Sequence, residues 1–256
     1  MSSSHERLIR RLGSIAEIAP EDAEALLGLP IRVARLKRHV DIVSDGDHPT
    51  RCCLVLEGFV CRYKLTSRGK RQILSFHIPG DIPDLQSLHI GLMDHSLATV
   101  TDCTVGYIDH GDMRRLMLER PKLVAPFWRE TLIDAGMFRE WMTGLGRREA
   151  YGRMARLFCE LSVKLQAVGL AEPERFPMPM TQVDLADALG LTSVHVNRTL
   201  KEMRERDLIE TPNGYIAFPD WDALCQAAEF DPAYLHLKQP DFPISCEPDE
   251  ELRKRL

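Results

Sequence analysis

MTQVDLADALGLTSVHVNRTLKEMRERDLIE, residues 180–210, carries the densest local signals in the chain. Thr181 fits a helix N-cap with Asp184 at the third helical position, and Gly190 falls where that helix must end in a left-handed turn. Thr192 then caps a second helix running to about Arg206. Two helices joined by a three-residue turn cross closely, which requires a small residue on the first helix and glycine in the turn. Ala186 and Gly190 supply them, with Val196 packing between. Together with Leu185, Leu189, Leu191 and Leu200 they form the core of a helix-turn-helix. Beyond it, Leu208-Ile209, Thr211-Pro212-Asn213-Gly214 and Tyr215-Ile216-Ala217-Phe218 read as strand, Asn-Gly turn and strand, a small wing.

With Val196, Leu200 and Met203 facing inward, Ser193, Val194, Asn197, Arg198 and Lys201 line the opposite face at helical spacing. That face suits a DNA major groove. Arg198 can grip guanine O6 and N7, Asn197 adenine N6 and N7, and Val194 a thymine methyl. Thr192, Ser193 and Lys201 suit phosphates. His195 beside them reads as a phosphate or packing contact rather than a pH switch. A hairpin used only for packing would give Asn197 and Arg198 no reason to occupy an exposed face.

Working outward, residues 5–12 and 20–29 read as short helices. From Ile31 to Asp109 the texture is β-rich: Ile31–Arg35, Cys52–Leu56, Phe59–Leu65, Gln72–Ile78 and Thr99–Ile108 are separated by turn signals, which suggests a compact antiparallel barrel or sandwich. A heptad stripe follows: Val124, Trp128, Thr131, Ala135, Phe138, Met142 and Leu145, spaced as the seam of a coiled-coil dimer. A second stripe, Leu123, Phe127, Met137 and Trp141, remains to face the barrel. Gly144 and Gly146 interrupt the next stretch and are the candidate hinge. Another amphipathic helix, Glu149–Val168, precedes the Pro-rich link Glu172–Pro179. The reading is α+β, with a sensor domain over 1–120, a dimerisation helix over 121–145, a winged helix-turn-helix over 146–219, and a C-terminal helix and acidic tail over 220–256.

Composition bounds the alternatives. The chain has 256 residues, of which 44% are hydrophobic and 28% charged, values typical of globular proteins rather than disordered or fibrous ones. There is no long apolar run and no signal-peptide core, so a cytoplasmic protein with no membrane partner is expected. The net charge of −5 comes from the tail: basic and acidic residues number 19 and 19 over 1–145, 10 and 10 over 146–219, but 4 and 9 over 220–256. A neutral domain can still bind DNA when its basic groups share one face. Seven cysteines without a CxxC spacing indicate reduced thiols rather than disulfides or a zinc finger.

The order of β-barrel, heptad helix, glycine hinge and winged helix-turn-helix resembles the CRP/FNR superfamily of bacterial transcription regulators over roughly residues 20–219. Its most specific part is LADALGLTSVHVNRTLKEMRERDLI (185–209), joined by Gly58, Gly69-Lys70, Pro79-Gly80-Asp81 and Gly146-Arg147-Arg148. The resemblance implies an N-terminal antiparallel double-stranded β-roll sensor, a homodimer formed through the long helix, and a two-fold symmetric operator on double-stranded DNA. RNA polymerase is a further partner on this reading, and the effector is unnamed.

Three departures stand out. Cyclic-nucleotide-binding members hold ribose with Gly-Glu after the Gly-Asp turn and neutralise the phosphate with Arg-Ser further on, where this chain has Asp84-Leu85 and His95-Ser96. Only the serine matches, and a carboxylate at 84 repels phosphate, so neither cAMP nor cGMP binding is expected. Members with an oxygen-sensing iron–sulfur cluster carry an N-terminal cysteine group, whereas the first cysteine here is Cys52. Members reading the TGA core also carry glutamate where this chain has Val194.

Other constellations carry less. His77, His89, His95, His110 and Cys103 lie in the sensor region without the fixed spacing of a metal site, so no cofactor or metal ligand set is assigned. Cys52 and Cys53 are expected on opposite sheet faces, one buried and one not. The acidic segment 247–251 reads as a solvated tail. The runner-up function is a metal-dependent barrel enzyme with an appended nucleic-acid-binding module; it requires facing histidines and a carboxylate that the spacing does not supply. The leading reading performs no catalysis. An effector-free DNA-binding protein is not separated from it by sequence.

Overall fold

The structure is a computed structural model describing residues 4–238. Two helices, α1 (Ser4–Ile15) and α2 (Pro20–Leu27), precede the strands β1 (Arg32–Leu36), β2 (Asp41–Val43), β3 (Arg51–Glu57), β4 (Val60–Leu65), β5 (Arg71–His77), β6 (Ser96–Thr99) and β7 (Cys103–Asp109). One sheet runs β1-β7-β3 and the other β2-β6-β4-β5, all pairs antiparallel. Val43, Val55, Val60, Leu97 and Val105 come from both sheets and fill the space between them. This is the antiparallel β-roll.

The segment Thr99–Ile108, expected as one strand, is two strands in different sheets. The chain crosses between them at Val100–Asp102, where Phe59 accepts from the Val100 N–H at 2.7 Å and donates to the Thr101 hydroxyl at 3.0 Å. Cys52 and Cys53 are both buried, because each face of β3 is covered: Cys52 packs with Leu8, Leu12 and Met113, and Cys53 with the roll interior.

After α3 (His110–Glu119) and a 3-10 turn (Pro121–Leu123) comes α4 (Val124–Arg147). Pro126 sits in its first turn, where the missing N–H has no intrahelical partner to lose. The helix expected over 121–145 ends two residues beyond that boundary, and Gly144 and Gly146, expected as the hinge, lie in helical backbone. A helix-interior glycine costs about 1 kcal/mol without terminating the helix, and the Arg148 N–H still bonds the Gly144 carbonyl at 3.0 Å. The break falls at Arg148 and Glu149, both in extended backbone.

The reader domain comprises α5 (Ala150–Ala167), β8 (Arg175–Pro177), α6 (Gln182–Leu189), α7 (Ser193–Glu205), β9 (Tyr215–Ala217) and α8 (Trp221–Ala228), followed by a 3-10 turn (Pro232–Leu235). Its wing differs from expectation. β9 pairs along its length with β8, inside the supposed Pro-rich link, whereas Leu208-Ile209 forms no strand and only Glu210 bridges to Ala217. The acidic tail 247–251 lies outside the described residues.

Candidate nucleic-acid interface

The helix-turn-helix is built by its caps. Thr181 and Asp184 form a reciprocal capping box on α6, which ends at Gly190 with φ 63° and ψ 39°, a left-handed conformation suited to glycine. The Thr192 hydroxyl accepts the His195 N–H at 3.2 Å and starts α7. Val196 and Met203 are fully buried and Leu200 is half-buried, which fixes the rotation of α7. Thr199, unassigned from sequence, is also buried and returns its hydroxyl to the His195 carbonyl at 3.0 Å.

The opposite face carries Thr192, Val194, Asn197, Arg198 and Lys201, all exposed, with Ser193 and His195 half-buried at its edge. Val194 is 81% exposed. The Asn197 amide reaches Gln182 Oε1 only at 3.5 Å, and Lys201 meets Glu205 at 3.5 Å in an exposed pair that holds it weakly. Arg198 has no ion pair among the described residues. The surface thus presents bidentate donors, an apolar group and a cation along one helix face.

Three faces of α4 have three fates. Phe127, Ile133 and Met137, with Leu123 of the preceding turn, are buried against the roll and the reader. Gly136 is covered by the segment after α8. The heptad stripe remains open: Val124, Trp128, Met142 and Leu145 are 41%, 66%, 70% and 40% exposed. Thr131, Ala135 and Phe138 complete that stripe and are partly covered.

The reader is fastened to the roll by contacts absent from the sequence reading. Arg71 at the start of β5 meets Asp184 at 2.8 Å and Asp187 at 2.7 Å, and Gln72 donates to the Ala188 carbonyl at 3.1 Å. Lys164 of α5 reaches Asp81 at 3.3 Å and the Phe76 carbonyl at 3.2 Å; Arg11 of α1 reaches Asp81 at 2.8 Å and Glu130 of α4 at 2.9 Å. Burial alone would raise the Asp81 pKa, but Lys164 and Arg11 overcome it and hold the carboxyl well below its ordinary range. Burial dominates at Glu130 and raises it.

The region of the roll facing α4 is polar and tightly filled. Arg62 donates to Asp134 of α4 at 2.6 Å and to the Pro83 carbonyl. Burial pushes the Asp84 carboxyl up to about 7, against the Cys53 N–H that donates to it at 2.8 Å. The Ser96 hydroxyl accepts from the Asp45 N–H at 3.0 Å, and His95 is buried against Asp94 at 2.6 Å. The cavity between roll and α4, lined by His77, Asp81, Gln86, Glu130, Asp134 and Lys164, offers about 20 Å³ to solvent. Burial also pushes the thiols up, Cys61 to about 12. His77 and His110 bond Ser75 and Ser87 respectively, and among the described residues no three metal-binding side chains converge.

The Crp-like helix-turn-helix domain family matches residues 152–227 and the cyclic nucleotide-binding domain family residues 33–120. The nitrogen fixation regulation protein FixK of Bradyrhizobium diazoefficiens is 32% identical over 181 residues, spanning 70% of this chain and 74% of that protein. The chain belongs to the CRP/FNR family of transcription regulators. FixK of Rhizobium meliloti is likewise 32% identical, over 184 residues, 70% of this chain and 79% of that one. In fold, this CRP/FNR regulator is similar to FixK2 from Bradyrhizobium japonicum, with a TM-score of 0.71 at 23% identity, covering 78% of this chain and 98% of that chain. A CooA mutant from Carboxydothermus hydrogenoformans gives 0.63 at 19%, covering 86% and 95%. Such regulators bind DNA through the helix-turn-helix and are not enzymes, which displaces the barrel-enzyme reading. Among the described residues no helix is long and apolar enough to cross a membrane.

Proposed function

We propose that this CRP/FNR regulator works in the cytoplasm as a homodimer joined along the α4 stripe. Each protomer lays α7 into one half of a two-fold symmetric operator. The observation that carries this reading is the open stripe itself: a 24-residue helix that buries Phe127, Ile133 and Met137 within the protomer leaves Trp128 and Met142 in solvent. A second copy of the same helix covers such a seam. Arg198, Asn197 and Val194 then read base edges, while Thr192, Ser193, His195 and Lys201 hold the backbone. RNA polymerase is the further partner of the DNA-bound dimer.

The roll answers to a signal other than a cyclic nucleotide. A nucleotide pocket needs hundreds of Å³, whereas the cavity between roll and α4 is about 20 Å³, and Arg62, which bonds the Pro83 carbonyl on its rim, is held by Asp134. Burial raises the Asp84 carboxyl, which weakens its charge repulsion toward a phosphate, so steric filling carries the exclusion. A signal shifts the reader only by binding one of its arrangements better than the other. The pivot for that shift is Arg148–Glu149, beside Gly144 and Gly146.

Selection of binding sites from random duplex DNA with full-length protein tests the assignment. An inverted repeat, lost together with dimer sedimentation in Trp128→Glu, is expected. A monomeric wild-type protein, or a motif without two-fold symmetry, refutes it. Micromolar binding of cAMP in titration calorimetry refutes the claim about the signal.

A further inference from the structure

The matched helix-turn-helix region stops at residue 227, but the chain continues as an ordered strap through Lys238. The strap leaves α8, crosses α4 and reaches α1. Arg156 of α5 packs under the rings of Phe230 and Tyr234, at 5.5 and 5.2 Å, and donates to the Glu229 carbonyl at 2.7 Å. Tyr234 donates its hydroxyl at 2.7 Å to Glu160, a buried carboxylate of α5 that also receives the indole N–H of Trp141 from α4 at 3.1 Å. Leu235 is buried, Arg129 of α4 donates to the His236 carbonyl at 3.4 Å, and the Lys238 N–H bonds the Ser14 carbonyl at 2.8 Å. One short segment therefore ties the reader, the long helix and the N-terminal helix together.

Gly136 shows that α4 is shaped for this crossing. Glycine inside a helix is unfavourable by about 1 kcal/mol relative to alanine, yet a Cβ at position 136 would stand 3.3 Å from the Tyr234 carbonyl. The roll grips the reader through Arg71 and Lys164, and the strap grips it from another face of α4. The angle between α7 and α4 is fixed between these two holds.

In a two-fold dimer that angle has a direct readout. The distance between the two recognition helices decides how far apart the half-sites lie. One base pair moves a half-site by about 3.4 Å and turns it by roughly a tenth of a revolution, so a reader free to swing accepts more than one spacing. We propose that the strap sets the half-site spacing this regulator accepts, with Tyr234, seated on Gly136 and bonded to Glu160, as the positioning residue. This rests on the dimeric reading above.

The test uses full-length protein and a pool of duplexes in which the selected half-site is repeated in inverted orientation with the spacer varied one base pair at a time. Wild type peaks at one spacing. Gly136→Val pushes the strap off α4 and raises the neighbouring spacings about tenfold relative to the peak, with the half-site sequence unchanged. Tyr234→Phe removes only the hydroxyl, leaves the fold intact should the valine variant not fold, and broadens the profile less in the same direction. A spacing profile unchanged from wild type in a folded, dimeric Tyr234→Phe and Gly136→Val pair overturns the proposal; if only Tyr234→Phe folds, its unchanged profile does so. A wild-type selection that yields no inverted repeat overturns the dimeric reading beneath it and the strap's role with it, and is told apart by the missing symmetry.

Discussion

Arg11 and Arg62 in the N-terminal domain and Arg198 on α7 are the same side chain in opposite circumstances. The first two are 5% and 4% exposed and meet Asp81, Glu130 and Asp134 within 3 Å. Arg198 is exposed and meets no carboxylate among the described residues. A buried guanidinium must be paired, because its desolvation is otherwise uncompensated. An exposed one keeps its hydration and stays available to an outside acceptor. The buried charges of the roll hold the molecule together, whereas Arg198 on α7 is left for DNA, so substitutions in the two places should move different quantities.

The most severe break of that contrast is Asp81→Ala, which strands Lys164 and weakens the hold on Arg11. It should lower stability by about 3–5 kcal/mol in urea unfolding. Loss of less than about 1 kcal/mol would mean that the pairs are as dispensable as surface ones. Asp84→Asn tests a buried carboxyl of the roll that has no cationic partner among the described residues. Its folded pKa, about 7 against an ordinary 3.8, means that the native state holds the proton more tightly than the unfolded chain. Its contribution is therefore full below about pH 4 and is lost as pH rises through 7, an order of 4 kcal/mol in all. Asp84→Asn should flatten that fall between pH 4 and 8 and be the more stable protein at pH 8; a pH profile unchanged by the substitution would refute the assignment.

On the reader side effects are smaller and fall on binding. Arg198→Ala should cost about 1–3 kcal/mol of discrimination at one base position and leave unfolding within about 0.5 kcal/mol of wild type. If preference survives intact in competition binding, α7 does not read bases through that side chain. Lys201→Ala is the mildest: affinity should fall almost equally for all sequences, with the slope of log affinity against log salt reduced by about one. A sequence-dependent loss would move Lys201 from the phosphates to the bases.

The reader was the more legible half. Capping residues, a turn glycine and apolar spacing act within a few positions of one another, so Thr181, Asp184, Gly190 and Thr192 declare both helices, and Val196 with Met203 fixes which face of α7 is outward. The heptad stripe of α4, with Val124, Trp128, Met142 and Leu145 exposed on it, was equally local. Pairing across the sequence was not. β8 was hidden because Pro177 and Pro179 mark a loop unless the distant partner Tyr215–Ala217 is known. The run from Thr99 to Ile108 is apolar enough to pass for one strand, and only the change of sheet at Val100–Asp102 divides it. Lys164 and Asp81, 83 residues apart, and Tyr234 and Glu160, 74 apart, carry no local sign of meeting. The burial of Cys52 likewise depends on helices arriving from elsewhere.

Lys164 has a mechanical consequence. It stands 14 residues along α5 from Ala150, about 21 Å at 1.5 Å per residue, with the helix break at one end and the Gly80-Asp81 turn at the other. α5 is thus a beam resting on two supports, one in each domain. A shift of the turn by 1 Å that Lys164 follows tilts the beam by about 3° over that length, and everything mounted on it, α7 included, swings with it.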